Sequence, residues 1–291
     1  MLDKILIIAK GVAMGAADVV PGVSGGTIAL LTGIYPRLIN AITGLNTDSI
    51  KQLFQAKFKS FWQSIDGNFI LPLIIGIASA FLLLAHPIKH AIENYPILMW
   101  SFFFGLIIAS AALIIKHIPD KKPIQYLWLI PGILFGLWVG SLTTIPFPSN
   151  NIAVLMAGML AICAMILPGI SGSFILVILG MYETLITAVA ERQWSTLLIF
   201  VCGAILGLLV FSRIIKWVLN RFYNITLFFL SGLMLGSLVK VWPWKSSELI
   251  NIMPSDHFEP ETIKAILFMS LAFVVVFLVD FLGRKIKSNS N

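Results

Sequence analysis

One short segment that interrupts a helix is present twice in this chain, and both copies lie within very apolar sequence. Residues 21–28 read PGVSGGTI, and residues 168–175 read PGISGSFI, 147 positions later. At that offset, nine of the nineteen positions from Pro21 to Ile39 are identical. Glycine and proline break helices, and a helix break repeated in corresponding halves of a membrane protein points to a transport site. The sequence therefore predicts two related halves with a functional break in each.

The composition places the chain in a membrane. Hydrophobic residues make up 58% of it, charged residues make up 11%, and the mean hydropathy is +0.96, whereas soluble domains carry about 25% charged residues. A spanning helix needs roughly 20 apolar residues, so the apolar stretches predict an all-α polytopic membrane protein. Its first repeat, 1–146, has a hairpin at 5–42, an interfacial amphipathic helix at 48–66, and transmembrane helices at 68–86, 97–118 and 124–145. Its second repeat, 147–291, has a hairpin at 152–190 and transmembrane helices at 196–219, 225–243 and 262–282.

The basic residues favour an inverted second repeat. A weaker match at an offset of 127 pairs Gly76 with Gly203 and Gly105 with Gly232, so the halves correspond along most of their length. With three crossings per half, or five if the short hairpin arms span, fifteen of the twenty Lys and Arg residues share one face. The other face keeps Lys89, Arg192, Lys240, Lys245 and Lys264.

The alternative topology has four crossings per half, and it divides the basic residues nine to eleven. The positive-inside rule therefore favours two inverted-topology repeats with both termini cytoplasmic. The charges leave open whether each hairpin is re-entrant or fully spanning, because both arrangements put every charged loop on the same side.

The two glycine-rich breaks are candidates for an anion site. A helix that begins inside the membrane presents unpaired N–H groups, which attract anions, and serine and threonine hydroxyls add further donors. The predicted phosphate-binding residues of the breaks are Gly22, Ser24, Gly25, Gly26, Thr27, Gly169, Ser171, Gly172 and Ser173. The alternative is that these residues only turn the chain, with the serines bonded to the local backbone.

Four charged residues near the hairpins and spans are further candidates. Arg213 is the predicted cationic contact for a phosphate, with snorkelling to the interface as the alternative. Asp18 lies three residues before Pro21, near the C-terminal end of its predicted half-helix, where the helix dipole disfavours a carboxylate. Because intramembrane acids are functional by default, it is a candidate for carrying a coupling proton or pairing with an arginine, with a salt bridge or water contact at the tip as the alternative. Arg37 and Glu183 occupy similar positions at the hairpin bases, where they would gate a head group or lie at the interface.

No pattern indicates a metal, a cofactor or a nucleic-acid partner. Cys163 and Cys202 lie in apolar segments, and the four histidines lack ligand spacing. A phosphatase or transferase would need a positioned nucleophile or general base, and neither break contains His or Cys. A transporter is therefore favoured over an enzyme, and a channel or exchanger for a small anion is the nearer alternative.

The motifs around the breaks are longer than the repeat itself. They read MGAADVVPGVSGGT at 14–27, GIY at 33–35, LPGISGS at 167–173 and GMYE at 180–183. In these residues the chain resembles the bacterial polyprenyl-phosphate translocases, a family long described as a domain of unknown function. The resemblance implies a plasma-membrane transporter that returns undecaprenyl phosphate, the lipid carrier of cell-wall synthesis, to the cytoplasmic leaflet. It implies a lipid phosphate substrate among membrane lipids, is compatible with coupling to protons, and leaves the oligomeric state open.

Overall fold

The protein is built from helices and their connections. A computed structural model describes residues 2–20, 23–144, 147–148, 150–246, 250–258 and 261–288. These residues form no β-strand. They form the helices α1 Leu2–Val19, α2 Gly25–Leu31, α3 Tyr35–Thr43, α4 Thr47–Phe54, α5 Phe58–Ser64, α6 Gly67–Asn94, α7 Pro96–His117, α8 Leu129–Ser141, α9 Asn151–Ile166, α10 Gly172–Ile178, α11 Tyr182–Ala190, α12 Trp194–Ser237 and α13 Thr262–Ser288. Short 3₁₀ helices lie at Pro123–Trp128, Leu238–Val241 and Pro254–Asp256.

Several of these helices are long and apolar enough to cross a membrane. In the described chain they are the five stretches Gly67–Asn94, Pro96–His117, Pro123–Ser141, Trp194–Val241 and Thr262–Phe281. Helix α12 has 44 residues, and at a rise of about 1.5 Å per residue it is roughly twice as long as a bilayer core is thick. Its backbone leaves the helical region at Phe222 (φ −135°, ψ 45°), so α12 consists of two segments joined at a kink. The prediction of an all-α polytopic membrane protein is confirmed.

The second arm of each hairpin is bent at a glycine. Gly33 has a φ of +71° between α2 and α3, and Gly180 has a φ of +64° between α10 and α11. Glycine adopts this left-handed conformation at little cost, and the bend between α10 and α11 is 109°. Apolar content alone indicated one continuous arm in each hairpin. The bend coincides in both copies with the shared Gly-x-Tyr sequence, whose glycine is the left-handed residue.

The segment expected to form one interfacial helix at 48–66 folds as two short helices. Helix α4 ends at Phe54, α5 begins at Phe58, and Ala56 between them has a φ of +55°. The apolar periodicity of the segment contains no signal for this left-handed residue. Phe54 and Phe58 remain exposed, so the segment still presents the apolar surface that a membrane-surface element requires.

Glycines bring each hairpin against a long helix in the same way in both halves. A Cβ added to Gly76 of α6 would overlap the carbonyl oxygen of Ile8 in α1. A Cβ added to Gly203 of α12 would overlap the carbonyl oxygen of Leu155 in α9. The two glycines are related by the offset of 127, and Ile8 and Leu155 by the offset of 147. Small residues at such contacts let membrane helices approach closely, so the repeated sequence produces a repeated helix contact.

The later helices pair across the two halves. Gly105 of α7 packs closely on Met269 of α13, and Gly232 in the second segment of α12 packs closely on Leu129 at the start of α8. Each half therefore supplies one helix to each pair, and the halves interlock. Helix α2 lies in the core of this arrangement, with residues 25–30 all buried.

Candidate functional site at the two helix tips

The two helix breaks lie against each other. We call residues 18–27 the first tip and residues 165–174 the second tip. Gly22, one of the predicted phosphate contacts, lies outside the described residues. Helix α2 begins in the first tip at Gly25, and α10 begins in the second tip at Gly172. The structure therefore brings the two predicted halves of the site together.

Two buried hydroxyl groups tie the tips together. Ser24 Oγ lies 3.2 Å from the carbonyl oxygen of Met165 and 3.3 Å from that of Leu167, and it donates to these acceptors. Thr27 Oγ1 accepts a hydrogen bond of 3.1 Å from the N–H of Gly169. Ser24 is 1% exposed and Thr27 is 0% exposed. A buried polar group without a partner is costly, so the contact between the tips satisfies both hydroxyls.

The N-terminus of α2 is already bonded to oxygen atoms of the protein itself. The N–H of Gly25 donates to Asp18 Oδ1 at 2.6 Å, and the N–H of Gly26 donates to Ser24 Oγ at 3.1 Å. The sequence suggested that Asp18 lies at the unfavourable C-terminal end of α1. The chain reverses direction at the tip, however, so the carboxylate faces the N-terminus of α2, where the helix dipole favours it. Asp18 therefore lies where a bound anion would otherwise lie in the first tip.

The second tip starts its helix with a similar backbone conformation and different chemistry. Met165 takes the place of Asp18 and lies against Gly172, as Asp18 lies against Gly25. Ser171 does not cap α10, and its Oγ lies 2.7 Å from Ser173 Oγ. The N–H groups of Gly172 and Ser173 donate to no acceptor among the described residues. The first two N–H groups of the helix are therefore bonded in the first tip and lack an acceptor within the described chain in the second tip.

A cavity of about 210 Å³ opens beside the first tip. Asp18, Gly26 and Tyr35 line it, together with apolar side chains of α1, α3, α6 and α9. Tyr35 is 1% exposed, and its hydroxyl has no hydrogen-bond partner in the described chain. Phe81, which also lines the cavity, is 46% exposed on the outside of α6, so the cavity extends toward the lipid. The sequence analysis used Tyr35 only as a repeat match, and its burial could not be read from the motif, because Tyr182 holds the same position in the second copy and is 42% exposed.

Two lysines that the sequence analysis used only for topology lie beside the second tip. Lys240 Nζ is 4.4 Å from the ring centroid of Phe174 in the first turn of α10. Lys245 Nζ is 4.8 Å from the ring centroid of Trp100 and donates to the carbonyl oxygen of Lys240 at 2.9 Å. Burial, and then the charge of Lys240, lower the pKa of Lys245 from its ordinary value. The two side chains form a partly buried positive pair with cation–π contacts.

Arg213 and its neighbour Lys216 bind the end of α3. The Arg213 guanidinium donates to the carbonyl oxygens of Leu209 at 2.6 Å and Leu45 at 3.2 Å. Lys216 Nζ donates to Thr43 Oγ1 at 3.2 Å. Cations are favourable at the C-terminus of a helix, where carbonyl groups lack partners. None of these hydrogen bonds reaches a tip residue, so the structure does not bring Arg213 into the site that the tips form.

Arg37 and Glu183 have unlike environments although their sequence positions are similar. Arg37 forms an ion pair with Asp66, with Nε to Oδ2 at 2.6 Å, and its guanidinium lies 4.5 Å from the ring centroid of Phe69. These contacts attach the start of α3 to the start of α6. Glu183 is exposed in the first turn of α11, where the helix dipole favours an acid. Neither residue makes a hydrogen bond with a tip residue in the described part of the chain.

The described residues contain no cluster that could hold a metal ion. No three His, Cys, Asp or Glu side chains among them come together as ligands. Cys163 and Cys202 are both free thiols, and Cys163 Sγ contacts the carbonyl oxygen of Gly207 at 3.8 Å. The chemistry of the site therefore rests on hydroxyl groups, backbone N–H groups, one carboxylate and two ammonium groups.

Comparison with known proteins defines the family. Residues 14–258 match the family described as "VCA0040-like: Undecaprenyl phosphate translocase-like". The chain belongs to this family. A relative from Vibrio cholerae serotype O1, named "Polyprenyl-phosphate transporter", is 47% identical over 238 residues, which make up 82% of this chain and 77% of the relative. A relative of the same name from Staphylococcus aureus is 32% identical over 266 residues, 85% of this chain and 89% of the relative. No solved structure matches the chain.

The family match includes both tips, the cavity and the lysine pair, because its range runs from residue 14 to residue 258. It confirms the resemblance found in the motifs. Both relatives are named as transporters, and the family description also denotes a translocase. The protein is accordingly a multi-pass membrane protein of a bacterial transporter family, and the expectation of a transporter rather than an enzyme is confirmed.

Proposed function

We propose that the protein carries undecaprenyl phosphate from the outer to the cytoplasmic leaflet of the bacterial plasma membrane. The family description and the names of the two relatives support a polyprenyl phosphate as the substrate. The observation that carries the proposal is the meeting of two broken helices inside a bundle of apolar helices. Irregular backbone at membrane depth is tolerated only within protein or beside a wet cavity. Such a polar site lets a phosphate cross while its isoprenoid tail stays in lipid.

The phosphate binds at the second tip. This tip offers the hydroxyl groups of Ser171 and Ser173 and the N–H groups of Gly172 and Ser173. Within the described chain the two hydroxyls bond to each other, and the two N–H groups have no acceptor. The first tip holds these donors in place through Ser24 and Thr27, which bond to the backbone of the second tip. The head group therefore lies where the two tips meet, and the first tip contributes mainly by positioning the second.

Asp18 carries the proton that couples transport to the proton gradient. Its carboxylate lines the cavity beside the tips and bonds to the N–H of Gly25. Protonation removes a negative charge that repels a phosphate and weakens the bond to Gly25, because hydrogen bonds to charged groups are the stronger ones. Arrival of a proton therefore loosens the first tip at the moment when an anion has to pass it.

The two halves, 1–146 and 147–291, are inverted-topology repeats with both termini in the cytoplasm. The distribution of basic residues supports this orientation. The equivalent contacts of Gly76 and Gly203, and the exchanged pairing of α7 with α13 and of α8 with α12, support the repeat. The hairpins then enter the membrane from opposite faces as re-entrant elements, and their tips meet near its middle.

Proteoliposomes that contain undecaprenyl phosphate test the proposal. An impermeant antibiotic that binds the head group measures how much of the lipid is accessible from outside. We expect the wild-type protein to change the accessible fraction, and S171A/S173A to slow this change. Ser141→Ala is the matched control, because Ser141 is exposed and, among the described residues, its hydroxyl bonds only to the carbonyl oxygen of Trp138 in its own helix.

Equal rates in the tip variant and the control would remove the second tip from the mechanism. A wild-type protein that moves no lipid, but passes chloride in a flux assay, would replace the lipid carrier with a channel or exchanger for a small anion. A pH gradient imposed across the vesicles separately tests the proton coupling.

A further inference from the structure

We infer that Lys240 and Lys245 form a recognition site for a phosphate monoester head group, on the approach to the second tip. The inference rests on the proposed function and adds to it a binding site outside the helix breaks. The pair first attracts the head group from the lipid on the base-poor face, and the second tip then receives it.

Two separate contacts place the pair beside the second tip. Lys240 contacts Phe174, which immediately follows the tip serine Ser173. Gly169 of the second tip packs on the end of α12, where an added Cβ would lie 3.1 Å from Ser237 Oγ. Lys240 follows Ser237 by three residues in the 3₁₀ turn that continues from α12. The lysine is therefore attached to the element on which the tip itself rests.

The positive charge of the pair is not neutralised by the described part of the protein. None of the ion pairs between described residues includes Lys240 or Lys245. An ammonium group has three donors, and Lys245 uses one of them on the Lys240 carbonyl oxygen. Two like charges so close repel each other, so an anion between them is stabilised by both. Charge-assisted hydrogen bonds to phosphate are the bonds that these donors would form.

The surroundings of the pair differ from those of the other lysines on the same predicted face. Lys89 lies 3.7 Å from Glu93, and Lys264 forms an ion pair with Glu261. Lys240 and Lys245 instead contact aromatic rings. A lysine with an acidic partner is an ordinary solvated surface charge, whereas within the described part of the chain this pair has ring contacts and no acidic partner.

Side-chain contacts constrain the segment between the two lysines. Trp242 Nε1 donates to the carbonyl oxygen of Ile252 at 2.8 Å, and the rings of Trp242 and Trp244 are 5.5 Å apart. These contacts restrict the backbone that carries the lysines, which reduces the entropy lost when a ligand binds. Aromatic side chains of this kind are frequent at the membrane–water interface, where the head group of a lipid lies.

The charge of the pair indicates which lipid it selects. A phosphate monoester carries about −1.5 to −2 charges at pH 7, whereas a phosphodiester such as phosphatidylglycerol carries a single negative charge. Two ammonium groups match the monoester better, so the pair discriminates undecaprenyl phosphate from the abundant anionic lipids around it. Undecaprenol, which lacks the phosphate, would not be recognised.

Binding of undecaprenyl phosphate to the full-length protein in nanodiscs tests the inference. We expect K240Q/K245Q to weaken the affinity by about a hundredfold or more, since two charge-assisted hydrogen bonds are lost. K240R/K245R keeps both charges and should retain most of the affinity. Lys89→Gln is the matched control and should leave it unchanged. Undecaprenol, phosphatidylglycerol and inorganic phosphate serve as competitors, and thermal unfolding verifies that each variant is folded.

The outcomes separate this inference from the proposed function. Unchanged affinity in K240Q/K245Q would overturn the lysine site and leave transport through the tips intact. Equal losses in the Gln and Arg variants would also overturn it, because charge would then not be the recognised feature. Inorganic phosphate that competes as strongly as the lipid would remove the preference for a lipid head group. A wild-type protein that binds no undecaprenyl phosphate would instead refute the proposed function.

Discussion

The hydrogen bond between Thr27 and Gly169 provides a direct test of the contact between the two tips. Thr27→Val replaces the hydroxyl with a methyl group and keeps the branched shape of the side chain. The N–H of Gly169, which is buried, then loses the acceptor that it has at 3.1 Å. No other described acceptor bonds to this N–H, so the loss is not compensated within the described chain.

The size of the effect follows from this geometry. A buried N–H left without a partner costs about 1–3 kcal/mol, and the added methyl group contributes roughly 0.8 kcal/mol in the opposite direction. We therefore expect the free energy of unfolding to fall by about 1 kcal/mol, within a range of roughly 0.2–2.2 kcal/mol, and 1 kcal/mol is a change of about fivefold in the ratio of folded to unfolded protein. The amide of Gly169 should also exchange its hydrogen faster, since the opening of the tip contact becomes easier.

Thr32→Val is the matched control for this experiment. The Thr32 hydroxyl donates at 2.8 Å to the carbonyl oxygen of Ile28, which also accepts the N–H of Thr32. Its removal leaves no group unpaired, so the stability should change by less than about 0.5 kcal/mol. Unfolding is followed in mixed micelles with increasing dodecyl sulfate, and exchange at Gly169 is followed by mass spectrometry. Equal stability losses in the two variants, or unchanged exchange at Gly169, would refute the argument that Thr27 joins the tips.

Three further predictions concern the first tip, the helix contact and the glycine bend. Asp18→Asn keeps an oxygen that can accept from Gly25 N–H, so the protein should fold normally, while transport in vesicles should no longer respond to a pH gradient. Gly76→Ala should destabilise the protein by about 1–3 kcal/mol, measured by the same unfolding assay, because the new Cβ would overlap the Ile8 carbonyl oxygen and push α1 away from α6. Gly33→Ala has open space for its Cβ, so it should cost only the roughly 1–2 kcal/mol of a left-handed residue, and a larger loss would show that the bend has contacts beyond its backbone conformation.

Much of the fold follows from the repeat, because a repeated sequence repeats its local contacts. The offset of 127 paired Gly76 with Gly203. In the structure, each of these glycines lies where a long helix packs closely on a hairpin arm. The bends at Gly33 and Gly180 could also have been read from the sequence, since Gly-x-Tyr occurs in both copies. The hairpin arms were instead predicted from their apolar content, which contains no information about backbone conformation. The left-handed Ala56 has no such signal at all.

The partners of the site residues could not be predicted from the sequence. Ser24 and Thr27 bond to residues that are 141 to 143 positions away, and no spacing rule relates residues at such a distance. Asp18 was judged by the dipole of its own helix, whereas the chain reversal brings it to the start of the next one. Arg213 was expected at a phosphate because it is a cation in an apolar span, but it binds the carbonyl oxygen of Leu45.

A duplicated scaffold with two identical tips would offer an anion two equivalent positions and no reason to leave either. Among the differences between the tips, the exchange of Asp18 for Met165 is the one that changes the charge. Both side chains lie against the first glycine of the following helix, but only the first places a negative charge there. An anion between the tips is therefore repelled on one side, and on the other it meets uncapped N–H groups and, beyond them, the positive charge of Lys240. In the proposed function, a proton on this carboxylate removes the repulsion on the first side, so the passage of a phosphate would depend on the passage of a proton.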